Sequence, residues 1–235
     1  MCAVRPGRLS LALAALSAVL AACLACSQAT ATPAATGSPA TPAATPATTP
    51  TPAPAGRTYA ASDLPAIALS APQIAGWQTA TRPDLTGPFT ATTNTNPQES
   101  PPPAAGLRSG YRQTIGDPGA PGVAAVRVTL ELFDSAALAS AALAPTVRAY
   151  EGAGYTRTLD PSTLHLGPEA AARSGANVAI APQFAQGAVA QGLVVVWRSG
   201  NLLLILLAGG DGGVTIDAAA RWIAAVDANA RARGA

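Results

Sequence analysis

Residues 193–207 read LVVVWRSGNLLLILL, and no other stretch restricts the fold as strongly. Gly200-Asn201 is a favoured two-residue hairpin turn, and the flanking runs, Leu193 to Trp197 and Leu202 to Leu207, are apolar at every position. Antiparallel strands that are apolar on both faces belong in a sheet covered on both sides. A membrane span is the competing explanation. It fails because Arg198, Gly200 and Asn201 interrupt the run and neither arm approaches the roughly 18 residues a span needs.

The rest of the sheet follows from weaker patterns. In VAAVRVTLELF (123–133), Val126, Val128, Leu130 and Leu132 share one face while Arg127, Thr129 and Glu131 share the other. That alternation predicts a half-buried strand whose polar face meets water. RSGYRQTI (108–115), YTRTL (155–159) and EAAARS (169–174) read as further strands. In DSAALASAALAPTVRAYEGAG, Asp134 or Ser135 can cap a helix with Leu138, Ala141, Ala142 and Pro145 on its inner face. Pro145 is expected to end or kink it. The chain finishes in a second helix, with Thr215 as N-cap, Asp217 in the first turn, and Ile216, Ala220, Ile223 and Val226 as its apolar stripe. Residues 63–77 carry Pro65 and Pro72 and suit extended chain or a short helical turn; 83–106 is rich in turn formers and reads as a long surface loop. The order β-β-α-β-β-β-β-α lacks regular βαβ alternation. The expected fold is therefore α+β: a mostly antiparallel β-sheet covered by two helices and an extended N-terminal segment.

The N-terminal quarter has a different character. Arg5 and Arg8 precede the apolar stretch LSLALAALSAVL (9–20), and small residues follow. This is the layout of a secretory signal peptide. All three cysteines, Cys2, Cys23 and Cys26, lie in this region, so the remainder can form neither a disulfide framework nor a cysteine-based zinc site. Cys23 and Cys26 are spaced C-x-x-C, but a redox pair needs a folded βαβ context to depress a thiol pKa, and this pair ends a signal peptide. Residues 27–56 contain no charged side chain and consist almost wholly of Ala, Thr, Pro, Ser and Gly. Such a tract has nothing large and apolar to bury and is expected to be a disordered tether, reaching roughly 90 Å if fully extended in polyproline II geometry. The expected organisation is 1–22 signal peptide, 23–56 modified N-terminus and tether, and 57–235 a single α+β domain.

Charge excludes some functions. The chain has no lysine; all 14 basic residues are arginine. Loss of Arg5 and Arg8 with the signal leaves 12 arginines against 12 acidic residues, so nothing favours attraction to nucleic acid. Motifs for dinucleotide binding, phosphate loops, zinc proteases and the serine nucleophile elbow are all absent from the sequence. His165 is the single histidine, and in STLHLG it reads as a structural or solvent residue. GGDGG (209–213) occurs once and reads as a connector. Glu131, Asp134, Glu151, Asp160 and Glu169 could supply acid/base pairs but stand in no motif. The most binding-like residues are Trp197, Arg198 and Tyr111, since aromatic and arginine side chains dominate binding hot spots; packing of the tryptophans in the core is the plainer alternative. No cofactor and no metal is expected.

Leu20-Ala21-Ala22-Cys23 resembles the lipobox of bacterial lipoproteins. In that family the cysteine thiol receives a diacylglyceryl group and the chain is cut just before it, leaving an extracytoplasmic protein anchored to the cell membrane. DLP…GW, RVTLELFDSAALASAAL, LGPEA, VVVWRSGNLLLILL and AARWIAAVDANAR together resemble a class of extracytoplasmic lipoproteins over about residues 63–232. This chain departs from them at Pro168, where an acidic residue is usual. The resemblance implies a sensor-like or binding-like envelope domain and supplies no catalytic residues. The expectation is a non-enzymatic lipoprotein, attached to the membrane through Cys23, whose domain binds a small molecule or an envelope protein. An envelope hydrolase and a structural assembly factor are the alternatives. Cys23→Ala should abolish lipid labelling and leave an unprocessed or released chain, whereas Cys26→Ala should leave labelling intact. Equal labelling of the Cys23→Ala protein would refute the lipobox assignment.

Overall fold

The apolar hairpin occupies the middle of an eight-stranded sheet. The structure is a computed structural model and describes residues 56–93, 105–117, 122–176, 191–210, 212 and 214–234. The signal segment, both lipobox-region cysteines, nearly all of the tether, and Asp211 and Gly213 of the glycine-rich connector lie outside these residues.

The chain opens with a 3-10 turn (Ala61–Asp63), the short helix α1 (Leu64–Ile67) and a second 3-10 turn (Ala71–Ile74). Then come β1 (Gln78–Thr79), β2 (Gly87–Phe89), β3 (Leu107–Gly116), β4 (Ala125–Phe133), α2 (Ala136–Gly152), β5 (Arg157–Leu159), β6 (Ala170–Ala176), β7 (Gln191–Ser199), β8 (Leu202–Gly210) and α3 (Ile216–Arg233). The strand order is β1-β3-β4-β8-β7-β6-β5, with β2 also pairing β3, and the pairings are antiparallel. The fold is α+β, as the patterns predict.

Alternation sorts the sheet into two faces. Val126, Val128, Leu130 and Leu132 of β4 join Leu204 and Leu206 of β8 and Val195 and Trp197 of β7 on one face. Ala219, Trp222, Ile223, Val226 and Ala230 of α3 cover it, together with Tyr59, Leu64, Ile67 and Leu69 of the leading segment. The other face carries Leu203, Ile205 and Leu207 of β8 and Val194 and Val196 of β7 beneath Ala139, Ala142, Val147 and Tyr150 of α2. Every residue of β8 is buried, and each leucine so placed contributes about 2 kcal/mol relative to exposure.

Four expectations are corrected. β4 is not half-buried: all nine of its residues are inside, Arg127, Thr129 and Glu131 included, because α2 and the segment around β2 cover the polar row. Pro145 does not end α2, which runs through it to Gly152. Pro145 and Ala141 lie on the exposed side, where water can replace the missing donor to the Ala141 carbonyl. The inner face of α2 is consequently Ala139, Ala142, Thr146, Val147 and Tyr150, set by the Ser135 cap, whose side chain accepts from the Leu138 N–H. Residues 83–106 are not all loop: β2 pairs with Gly110–Arg112, and Leu85 and Phe89 are buried. Gly110 makes room for this, since a Cβ there would lie 2.1 Å from the Phe89 ring.

Three side-chain amides fasten the leading segment by mimicking backbone partners. Asn201 accepts from the Tyr59 N–H at 2.8 Å and donates to the carbonyls of Tyr59 and Phe133. Gln113 accepts from the Leu69 N–H at 2.8 Å and donates to the Leu69 carbonyl at 2.9 Å. Asn229 of α3 donates to the carbonyls of Ile67 and Ala68. Gly200, with φ +56°, adopts the left-handed backbone that a II′ turn requires at its first central position. A Cβ there would fall 1.6 Å from the Arg57 carbonyl oxygen, so the turn is also the surface on which the leading segment lies. Asn201→Ala takes the acceptor from the Tyr59 N–H and the amide donor from the Tyr59 and Phe133 carbonyls, and a buried polar group left unpaired costs about 1–3 kcal/mol. The substitution should cost about 2–4 kcal/mol in urea unfolding, whereas Thr92→Ala, on the exposed stretch after β2, should change stability by less than about 0.5 kcal/mol.

Candidate functional site

A cavity of about 700 Å³ opens at one end of the sheet, within the range of small-molecule sites. β5 contributes Arg157 and Leu159, the end of β6 contributes Ser174, and β7 begins there at Gln191. The opposite wall is the start of α3, with Thr215 and Asp217. Thr215 forms this wall because it is the N-cap: its side chain accepts from the Ala218 N–H and turns the chain into the helix. Asp160, at the rim, is held below its ordinary carboxylate range by hydrogen bonds from the backbone and side chain of Ser162. The lining mixes hydroxyls, an amide and a few charges with apolar patches at Leu159, Val214 and Ile216. It can orient a polar ligand through hydrogen bonds while covering part of it from water.

The residues singled out in the sequence are placed as follows. Trp197 is fully buried in the core. Tyr111 is half-buried on the same face and on the same rung, through the pairings Tyr111↔Leu130, Leu130↔Leu204 and Leu204↔Trp197. Three strand spacings, about 14 Å, separate them. Arg198 points to the opposite face and forms a bidentate pair with Glu169, at 2.7 and 2.6 Å. These bonds hold the Glu169 carboxyl below its usual range and the Arg198 guanidinium above its own. None of the three lines the cavity. Cys23 lies outside the described residues. His165 is exposed with φ +53°, and its carbonyl accepts from Arg231.

The five carboxylates are each engaged separately. Asp134 meets Arg108, Glu151 meets Arg173, Asp160 meets Ser162 and Glu169 meets Arg198, while Glu131 is buried in the sheet. Among the described residues no group of three or more His, Cys, Asp or Glu is placed to hold a metal ion, and no helix is long and apolar enough to cross a membrane.

A second polar region went unrecognised in the sequence. Arg112 and Thr114 of β3 and Arg127, Thr129 and Glu131 of β4 form a buried row facing Tyr150 of α2 and, beyond it, Tyr155. Arg112 donates to the Asp84 carbonyl, Arg127 Nε donates to Thr114 Oγ1, and Thr114 donates to the Leu85 carbonyl. Desolvation lowers Arg112 and brings Arg127 down to about 10. Burial, the dominant cause, raises both phenols far above their ordinary value of 10.0. The only sequence signal was the alternation itself, which does not say what covers a strand's polar face.

No protein-family profile matches the chain, and no curated protein does. The fold is similar to the crystal structure of the extracellular domain of PknH from Mycobacterium tuberculosis, with a TM-score of 0.50 and 11% identity over 75% of this chain and 99% of that one. At that identity the likeness is one of fold.

The buried phenols give a pH signature. Their protons are held above the pH at which an unfolded chain releases them, so their stabilisation is complete below about 10 and is lost as pH rises further. Arg127 acts oppositely, since its lowered pKa relieves a native-state penalty above about 10, but two phenols outweigh it. In an alkaline titration, tyrosinate absorbance from Tyr150 and Tyr155 should appear only together with loss of near-ultraviolet circular dichroism. Ionisation of both near 10 in a folded protein would contradict their burial.

Proposed function

We propose that the chain is a membrane-anchored extracytoplasmic binding module, non-catalytic, that takes a small molecule or a segment of an envelope protein in the cavity between β5, β6 and the start of α3. The cavity is the observation that carries this reading. The lipobox-like Leu20-Ala21-Ala22-Cys23 and the Pro/Thr-rich tract support the anchor and tether, and likeness of fold to a domain named as extracellular is consistent with the location.

The placement of the cavity also suits a tethered domain. The leading segment meets the sheet at the Gly200 turn, where Arg57 lies against both Gly200 and Gly234. β7 runs from Gln191, in the cavity wall, to Ser199, beside that turn. At about 3.3 Å per residue, some 26 Å separates the cavity from the attachment end. A domain held at one end thus offers its opening at the other.

The test is a binding screen of cell-wall glycan fragments, short peptides and soluble lipid headgroups against the domain, read by calorimetry, with Thr163→Trp as the blocking variant. Thr163 is exposed and lines the cavity, so the indole should fill the opening with little effect on stability. A ligand that binds the native protein and loses at least tenfold affinity in Thr163→Trp supports the reading. Binding unaffected by the variant, or turnover of any probe, overturns it.

A further inference from the structure

The carboxylates of this fold are almost all engaged. Five of the described ones pair with an arginine, two accept from nearby backbone N–H groups, and Asp117 and Glu131 are engaged as well. Asp217 is the exception: among the described residues nothing donates to it or forms an ion pair with it. It stands in the cavity wall, in the first turn of α3. A negative charge suits the start of a helix, but that role leaves the carboxylate lone pairs open.

The sheet side of the cavity holds the complementary group. Leu159, Ala172 and Leu193 point to the face that α3 covers. By alternation and register, Arg157, Ser174 and Gln191 point the same way. Arg157 stands directly across the β5–β6 ladder from Ser174. Among the described residues its guanidinium has no ion pair and no hydrogen bond, and it does not pair with Asp217. Residues 177–190, between β6 and β7, contain no charged side chain that could neutralise either group. Asp160, the third charge in the lining, is already committed to Ser162. One cavity therefore presents a free cation from the sheet and a free anion from the helix.

We propose that the ligand of this cavity is a small zwitterion, a short peptide with free ends, whose carboxylate is bound by Arg157 and whose ammonium group is bound by Asp217. The proposal rests on the cavity being the binding site and names the chemistry it selects. A guanidinium matches the geometry of a carboxylate, and a carboxylate accepts from an ammonium group. Ser174 and Gln191 can serve the peptide groups, while Leu159, Val214 and Ile216 give a side chain an apolar surface. A purely anionic ligand would be repelled by Asp217 and a purely cationic one by Arg157, so the pair discriminates by charge arrangement. No aromatic ring lines the cavity to take the face of a sugar.

The experiment measures binding by calorimetry for the tripeptide Ala-Leu-Ala in four forms: free, N-acetylated, C-amidated and blocked at both ends, alongside a neutral cell-wall disaccharide. The free peptide should bind. Acetylation and amidation should each cost about tenfold or more, the loss expected for a charge-assisted hydrogen bond. Asp217→Asn should weaken the free peptide as acetylation does and weaken the acetylated peptide no further. Arg157→Gln should stand in the same relation to amidation. Both side chains are exposed, and circular dichroism checks that the variants are folded. Thr163→Trp should abolish all of this binding. Silence from the free peptide at millimolar concentration overturns the zwitterion. So does binding of the blocked peptide or the disaccharide that is lost in Thr163→Trp yet unchanged in Asp217→Asn, an outcome that leaves the cavity standing as the site. Binding of any probe that survives Thr163→Trp overturns the cavity itself and the zwitterion with it.

Discussion

The two-sided burial of the β7–β8 hairpin is the constraint to which the rest of the structure answers. A strand such as β8, apolar at nearly every position, cannot form the edge or the open face of a sheet in water. It needs a partner strand on each side, here β4 and β7, and a cover above and below. α2 provides one cover. α3 cannot span the other face alone, and the segment from Tyr59 to Leu69 completes it. This explains why three carboxamides are spent on that segment. Much of it is irregular chain with N–H and C=O groups facing a sheet that has no ladder bonds left to give. Asn201, Gln113 and Asn229 supply the missing donors and acceptors from side chains.

Much of this was legible because it rested on local pattern. The GN turn, the unbroken apolar runs, the alternation in β4 and the caps at Ser135 and Thr215 each express a short-range rule, and the antiparallel α+β fold follows from their order. What was not legible depended on contacts distant in sequence. Arg127, Thr129 and Glu131 alternate as a solvated face would. Their burial is decided by Tyr150 and by residues 84–89, which reach them only in the folded chain. The phase of α2 was misjudged because alanine dominates the helix, so neighbouring stripes look equally apolar and Leu138 cannot be told from Ala139 as the inward residue. β1 and β2 are too short to carry a period.

The candidate sites divide in the same way. Trp197, Arg198 and Tyr111 attracted notice by residue type, yet Trp197 serves the core and Arg198 closes an ion pair. The cavity wall is made mostly of Thr, Ser, Asp, Gln and aliphatic residues with one arginine, Arg157, and their spacing in the sequence carries no mark of function. Only the placement of β5 and β6 opposite the first turn of α3 makes them a site.

The exclusive use of arginine gains meaning once the side chains are placed. Arg198 grips Glu169 with two parallel bonds; Arg221 lies over the Trp222 ring at 4.0 Å, with Trp77 beside it; inside the sheet, Arg112 donates to the Asp84 carbonyl and Arg127 to Thr114. Each role uses the planar, forked and weakly hydrated guanidinium, and an ammonium would perform none of them equally. A lysine at 127 would have one nitrogen for both Thr114 and any further acceptor, and under the same desolvation it would tend to lose its proton. An arginine resists that loss and can hold Thr114 through Nε while its terminal nitrogens face elsewhere. A positive charge that persists in the interior, rather than a basic side chain as such, is therefore what β4 has been built to keep.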